Sequence, residues 1–227
     1  MANVTFLGHA SFEAQLGSSI IFVDPWFNKK PRQVDRLIPS AVENVDDIRK
    51  ADAIFVTSEG FDHCDPYDIT RITQRTFCPV IAPEETLGTL ADVNARQKVV
   101  ASVGDDFNLH GLDVRVMPAK YYRSTNPVGY LISAGGKSNY FAGATYNFFE
   151  MGQITCDVAV IPIGGDSAMD PLSASTAAKT IKAKTVIPMM YNTYSRIKVD
   201  PAEFERRAKE NGRVNVRVLE VGETLNF

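Results

Sequence analysis

The stretch TSEGFDHCDP, residues 57 to 66, sets a carboxylate beside an imidazole at Asp62 and His63, with Cys64 and Asp65 directly behind. Carboxylate oxygens and imidazole nitrogens are the usual donors to first-row divalent ions, so the loop reads as a candidate metal site. The plainer reading is a turn in which Asp62 and His63 hydrogen-bond each other and the loop backbone. Adjacent residues seldom all point at one ion, so Cys64 and Asp65 do not join the set by position alone.

Two other stretches carry chemistry. His9 in FLGHAS is a candidate acid, base or anion donor, or else ties the first strand to the VDP segment by bonding Asp24. Lys120, followed by Tyr121 and Tyr122, closes the segment VMPAKYY. An amine buried in apolar surroundings has a lowered pKa and can attack a carbonyl as a Schiff base, with a tyrosine moving protons. The alternative is a lysine on the rim with its head in water. Strand alternation turns Lys120 and Tyr121 to opposite faces unless the strand has already ended. No GxSxG elbow is present, and IPIGGDS lacks the spacing of a phosphate loop.

These residues need strand ends to position them, and the chain supplies many. NVTFLG, SFEAQLG and SSIIFVDP read as strands, with Gly17 and Ser18 at the turn between the last two. VENVDDIRK reads as a short amphipathic helix before the buried strand DAIFVT. PYDITRITQRT is a helix with Asp65 as N-cap and Pro66 in its first turn. PVIA, KVVAS, CDVAVIPIGG and KTVIPMM are strands; EETLGTLADVNA and SASTAAKTIKA are helices. DPAEFERRAKENG is a helix ending at Gly212, and VNVRVLEVGE is a closing strand. Hairpins turn at His110–Gly111 and at Gly135–Gly136. Apolar strands ending in small, polar or aromatic residues recur in VTSEG, VMPAKYY, YFAGATY, IPIGG and IPMMY.

The whole chain narrows the classes. Its 227 residues are read as a single domain spanning 1–227, with 44% hydrophobic and 22% charged residues. A formal charge of −3 gives no footprint for nucleic acid. No apolar run approaches the roughly 20 residues that span a bilayer, and no signal peptide is read at the N-terminus. Three widely spaced cysteines suit a reducing compartment, so a soluble cytoplasmic protein is expected.

The segments FLGHASF, VDP, TSEGFDHCDP, VMPAKYY, YFAGATYN, IPIGG, MDP and IPMMYNT, in that order, resemble the metallo-β-lactamase superfamily. Within it they are most similar to the metal-dependent hydrolases related to L-ascorbate-6-phosphate lactonase. The resemblance implies an α+β fold, the four-layer αβ/βα sandwich, and small phosphorylated or lactone-type substrates. It also implies a dinuclear site fed by the THxHxDH loop, whose ligand positions fall here on Ser58, Gly60, Asp62 and His63. The family's next histidine falls near Tyr121, the bridging aspartate of AGDT at Ala144, and the histidine of IPMH at Met190.

Two of those seven positions keep a ligand-type side chain in its usual role. The expectation is therefore a hydrolase-like protein whose metal centre is largely lost, leaving a metal-free, repurposed or engineered pocket for a small molecule. That pocket is expected to hold His9, Asp24, Ser58, Gly60, Asp62, Ala144 and Met190. The alternatives are a carbonyl enzyme using Lys120 with Tyr121, and a residual mononuclear hydrolase using Asp62 and His63. No cofactor is expected apart from a residual divalent metal, and the group hints at homo-oligomers.

Overall fold

Alternation of apolar residues along the strands decides the layering. The computed structural model describes residues 2–27, 36–212 and 214–227. Its strands are β1 (Ala2–Gly8), β2 (Ser11–Leu16), β3 (Ser19–Val23), β4 (Ala53–Phe55), β5 (Val80–Ala82), β6 (Lys98–Val100) and β7 (Asp106–Leu109). They continue with β8 (Leu112–Pro118), β9 (Val128–Ala134), β10 (Lys137–Phe141), β11 (Thr155–Pro162), β12 (Lys182–Met189) and β13 (Thr224–Asn226). One sheet has the order β13-β1-β2-β3-β4-β5-β6 and the other β12-β11-β10-β9-β8-β7.

On β3 and β4, Ile21, Val23, Ala53 and Phe55 face the partner sheet, while Phe22 and Ile54 face outward. On β11, Val158 and Val160 face inward, while Ala159 and Ile161 face the other way. The inner core thus lies between the sheets. The helices α1 (Pro66–Thr76) and α2 (Glu84–Gly88) cover the outer face of the first sheet through Ile69, Ile72 and Leu87. The outer face of the second is covered by α3 (Pro171–Thr180) and α4 (Pro201–Gly212), through Ala174, Ala177, Phe204 and Ala208. Each such fully buried side chain of Val, Ile or Phe size stabilises the fold by roughly 1.5–3 kcal/mol. Helix, sheet, sheet, helix is the four-layer α+β sandwich that the resemblance implies.

Pairing sets the direction of the functional ends. Strands β3 and β4 are parallel, as are β10, β11 and β12, while β1 and β8 run antiparallel to their hairpin partners. Therefore β1 runs with β3 and β4, and β8 runs with β10 to β12. The segments after β1, β3, β4, β8, β10 and β12 are thus carboxyl-end loops of codirectional strands. The backbone N–H of Met190 donates to the His9 carbonyl at 2.8 Å, which joins the two sheets at this end.

Three elements differ from the sequence expectation. VENVDDIRK forms only a 3-10 turn at Val45–Asp47, capped by Asn44, because so short a segment does not repay helix nucleation. The helix in EETLGTLADVNA stops at Gly88, where the most helix-averse residue short of proline enters. The closing strand VNVRVLEVGE makes a single bridge, Val216 to Val186, and the terminal strand β13 pairs instead with β1. The Asp65 cap of α1 holds, with Oδ1 accepting from the backbone N–H of Tyr67 and Asp68 at 2.9 and 3.1 Å. Among the described residues, no helix is long and apolar enough to cross a membrane.

Candidate metal centre

The site is built where strands stop. His9 follows β1 and Asp24 follows β3, both in the left-handed region at φ 57° and 46°, and Met190 follows β12 at φ 57°. Such a conformation costs a non-glycine residue on the order of 1–3 kcal/mol, and such residues gather at functional sites. Here it turns both the His9 and Asp24 side chains out of strand alternation toward the loop after β4.

That loop carries Thr57, Ser58, Gly60, Asp62 and His63. The Gly60 carbonyl accepts from the backbone N–H of His63 at 2.8 Å and Cys64 at 2.7 Å, closing a tight turn. A Cβ on Gly60 would lie 3.1 Å from Asp62 Oδ1, 3.4 Å from the His63 ring and 3.7 Å from Ser58 Oγ. The missing side chain is therefore what keeps the space between those three groups open.

Asp62 and His63 do not bond each other. His63 Nδ1 lies 2.7 Å from Asp24 Oδ2, and Asp24 also accepts from the Thr57 N–H at 2.7 Å and the Thr57 hydroxyl at 2.6 Å. Asp24 thus serves His63 rather than His9. His9 Nδ1 lies 3.0 Å from Thr193 Oγ1, and its Nε2 is 3.3 Å from Asp62 Oδ2. The Tyr194 hydroxyl donates to Asp62 Oδ2 at 2.8 Å. The His9 ring stands edge-on to Trp26, with centroids 5.2 Å apart.

Charge follows from these partners. Burial lowers the His9 imidazole and outweighs the pull of Asp62, so it is neutral at physiological pH. Burial also pulls His63 down, but the Asp24 charge and hydrogen bond, aided by Asp62, hold it above the usual imidazole range. Burial pushes Asp62 up, and the hydrogen bonds and charges of His9, His63 and Tyr194 more than reverse this, keeping it an anion.

Nε2 of His63 and Oγ of Ser58 are buried with no hydrogen-bond partner, and Nε2 of His9 has only the Asp62 carboxylate, 3.3 Å away. A buried polar group left unpaired costs about 1–3 kcal/mol, so two of them beside the His9–Asp62 contact call for an occupant. Among the described residues, His9, Asp62 and His63 form the group whose donor atoms lie within 4.8 Å of one another. Two imidazoles and one carboxylate with open positions suit a single divalent ion of the zinc or iron(II) kind. A second ion does not fit: Gly60 and Ala144 offer no donor, and the Met190 thioether is soft.

The other expected residues sort accordingly. Ala144 and Met190 pack in the core between the sheets, and Tyr121 is half-buried against it. Burial raises the Tyr121 phenol, against a hydrogen bond from Ser167. Lys120 is exposed, so the desolvation that a Schiff-base amine requires is absent. The strand has ended by then, and the Lys120 N–H donates to Thr145 Oγ1 at 2.9 Å. Cys64 packs under the loop with its sulfur 3.5 Å from Thr89 Oγ1, and Asp65 is occupied as the cap of α1. His110 is exposed at its hairpin turn.

A sandwich of two sheets between helices, with histidine and aspartate on its carboxyl-end loops, defines the metallo-β-lactamase class. The chain belongs to the Beta-lactamase superfamily domain family, which matches residues 3–190, and to the UPF0173 metal-dependent hydrolases within that class. It is 33% identical to the UPF0173 metal-dependent hydrolase of Pyrococcus furiosus over 100% of both chains. It is similar to Igni18, a metallo hydrolase of Ignicoccus hospitalis, with TM-score 0.81 and 31% identity over 100% of this chain and 99% of that one. An isothiocyanate hydrolase from Delia radicum gut bacteria shares the fold alone, with TM-score 0.78 and 15% identity over 99% and 98% of the chains. With relatives named metal-dependent and a ligand group in place, the expected metal-free pocket is not supported, and a metal-dependent reading fits better.

Proposed function

We propose that the chain is a hydrolase dependent on one divalent metal held by His9, Asp62 and His63. The observation that supports this most is the convergence of His9, Asp62 and His63 donor atoms within 4.8 Å of one another, with the buried Nε2 of His63 left unpartnered. A divalent ion there supplies Lewis acidity for a carbonyl or phosphoryl oxygen and acidifies water. The protein's own residues prepare for it. Asp24 orients the His63 ring from behind, in the carboxylate–histidine arrangement that fixes the tautomer and raises ligand basicity. His9, held neutral by burial, has a lone pair to offer without first releasing a proton. Tyr121, its phenol raised by burial, stays protonated and can donate to a substrate oxygen but cannot act as a base at neutral pH. For substrates, the resemblance to the lactonase-related group supports small lactone or phosphorylated compounds.

A panel of lactones, carboxylic esters and phosphate esters, assayed with zinc-, manganese- or iron-loaded protein, tests this reading. Hydrolysis of one class that disappears with chelator and in His63→Ala is expected. Hydrolysis that survives chelator undiminished would overturn the metal dependence.

A further inference from the structure

The segment after Met190 reaches back to both ligands that lie outside the Asp24 pair. The Thr193 hydroxyl donates its proton to the Tyr191 carbonyl at 3.3 Å. With the hydroxyl proton on that carbonyl, its oxygen accepts from His9 Nδ1, 3.0 Å away. That contact orients the His9 ring from behind, with Nε2 on the far side 3.3 Å from Asp62 Oδ2. One residue further on, the Tyr194 hydroxyl donates to that same Oδ2 at 2.8 Å, and its ring lies 5.5 Å from the His9 ring.

The segment is itself well fixed. Met190 and Asn192 both take the left-handed conformation at φ 57°. The Asn192 N–H donates to the Ile197 carbonyl at 2.8 Å, and Asn192 Oδ1 accepts from the Val199 N–H at 2.9 Å. Thr193 and Tyr194 are buried, so water does not compete for these bonds. Strain at two residues, together with two inward-pointing hydroxyls, is more than a connection between β12 and α4 requires.

We propose that residues 191–194 are the positioning element of the metal site: Thr193 sets the His9 ring and Tyr194 sets the Asp62 carboxylate. The proposal rests on the metal reading above. It assigns a role to the segment that follows Met190, a residue with no ligand to offer a hard or borderline ion. The loop then acts from behind the ligands rather than as one of them. Partners of this kind typically govern metal affinity by about 10–100-fold.

Cobalt(II) titration of the full-length protein, followed by visible absorption and by competition with a chromophoric chelator, tests it without any substrate. Tyr194→Phe keeps the ring and loses only the hydroxyl, and Thr193→Val keeps the shape and loses only the oxygen. Each is expected to weaken cobalt binding by about 10–100-fold and to alter the cobalt spectrum, with far-ultraviolet circular dichroism unchanged. Thr193→Ser is expected to restore both, which a packing role for threonine would not give. Arg196→Met, which removes only the guanidinium 5.7 Å over the Tyr194 ring, is expected to bind as wild type does. Wild-type affinity and spectrum in both Tyr194→Phe and Thr193→Val would overturn the positioning role while leaving the metal site standing. A wild-type protein that takes no cobalt would overturn the metal site itself, and the positioning role with it. If Tyr194→Phe does not fold, the Thr193→Val and Thr193→Ser pair decides.

Discussion

Asp24 Oδ2 sits 2.7 Å from His63 Nδ1, with both side chains sealed from water and two donors of Thr57 on the same carboxylate. The pair fixes which nitrogen of His63 faces the open side of the site. Replacing the carboxylate by an amide keeps the volume and removes the charge that holds the imidazole ring. Asp24→Asn is expected to lower zinc affinity by about 10–100-fold, read by competition with a chromophoric chelator. Wild-type affinity would show that His63 is not oriented through Asp24.

Gly143 lies across from that pair. It has φ +63°, and a Cβ there would come within 2.7 Å of both Cβ and Oγ1 of Thr57, the residue that donates twice to Asp24. Gly143→Ala therefore strains the backbone and pushes on the Asp24–His63 unit together. A loss of about 1–3 kcal/mol is expected for the backbone alone. In thermal unfolding this corresponds to roughly 2–4 °C per kcal/mol for a chain of this size. Gly135→Ala, at φ +58° with nothing within 4 Å of its Cβ, should show the backbone part without weakening zinc binding. Equal effects of the two variants on zinc binding would contradict the link.

The cysteines give a pH prediction. Burial pushes Cys64 and Cys156 up to about 12 and Cys78 up to about 11. An unfolded thiol titrates near 8.5. Because the folded state keeps protons that the unfolded state has already released, the thiols' contribution to stability is fully present below about pH 8.5. It declines as pH rises through the folded values of about 11 to 12. Urea midpoints should therefore fall between about pH 9 and 11, and fall less steeply in a variant carrying alanine at all three positions. In native protein at pH 8, a chromogenic disulfide reagent should find no fast-reacting thiol; rapid labelling would contradict the burial.

Much of the architecture could be read from the residues. The continuous apolar runs in SSIIFVDP and CDVAVIPIGG mark strands with two buried faces, and a helix behind the Asp65–Pro66 cap forms as expected. Asp62 and His63 are legible as adjacent donor types in TSEGFDHCDP, and His9 and Asp24 as members of the family-like FLGHASF and VDP segments. Their pairing was not legible. The sequence suggested that Asp62 bonds His63 and that His9 bonds Asp24, whereas the left-handed turns at His9 and Asp24 exchange those partners.

Thr193 and Tyr194 were missed altogether, although IPMMYNT was noticed. They act on residues 184 and 132 positions away, and no local pattern marks a hydroxyl that serves so distant a neighbour. The same distance hid His9 as a member of the ligand group. Counting ligand positions along the THxHxDH, AGDT and IPMH segments left it out, and the site looked emptier than its geometry is.

Native mass spectrometry of the protein equilibrated with zinc tests the central claim most directly. One zinc ion per chain in wild type, and none in the His9→Ala/His63→Ala double variant, is the predicted result. Two ions per chain, or none in the wild type, would contradict a single-metal site at His9, Asp62 and His63.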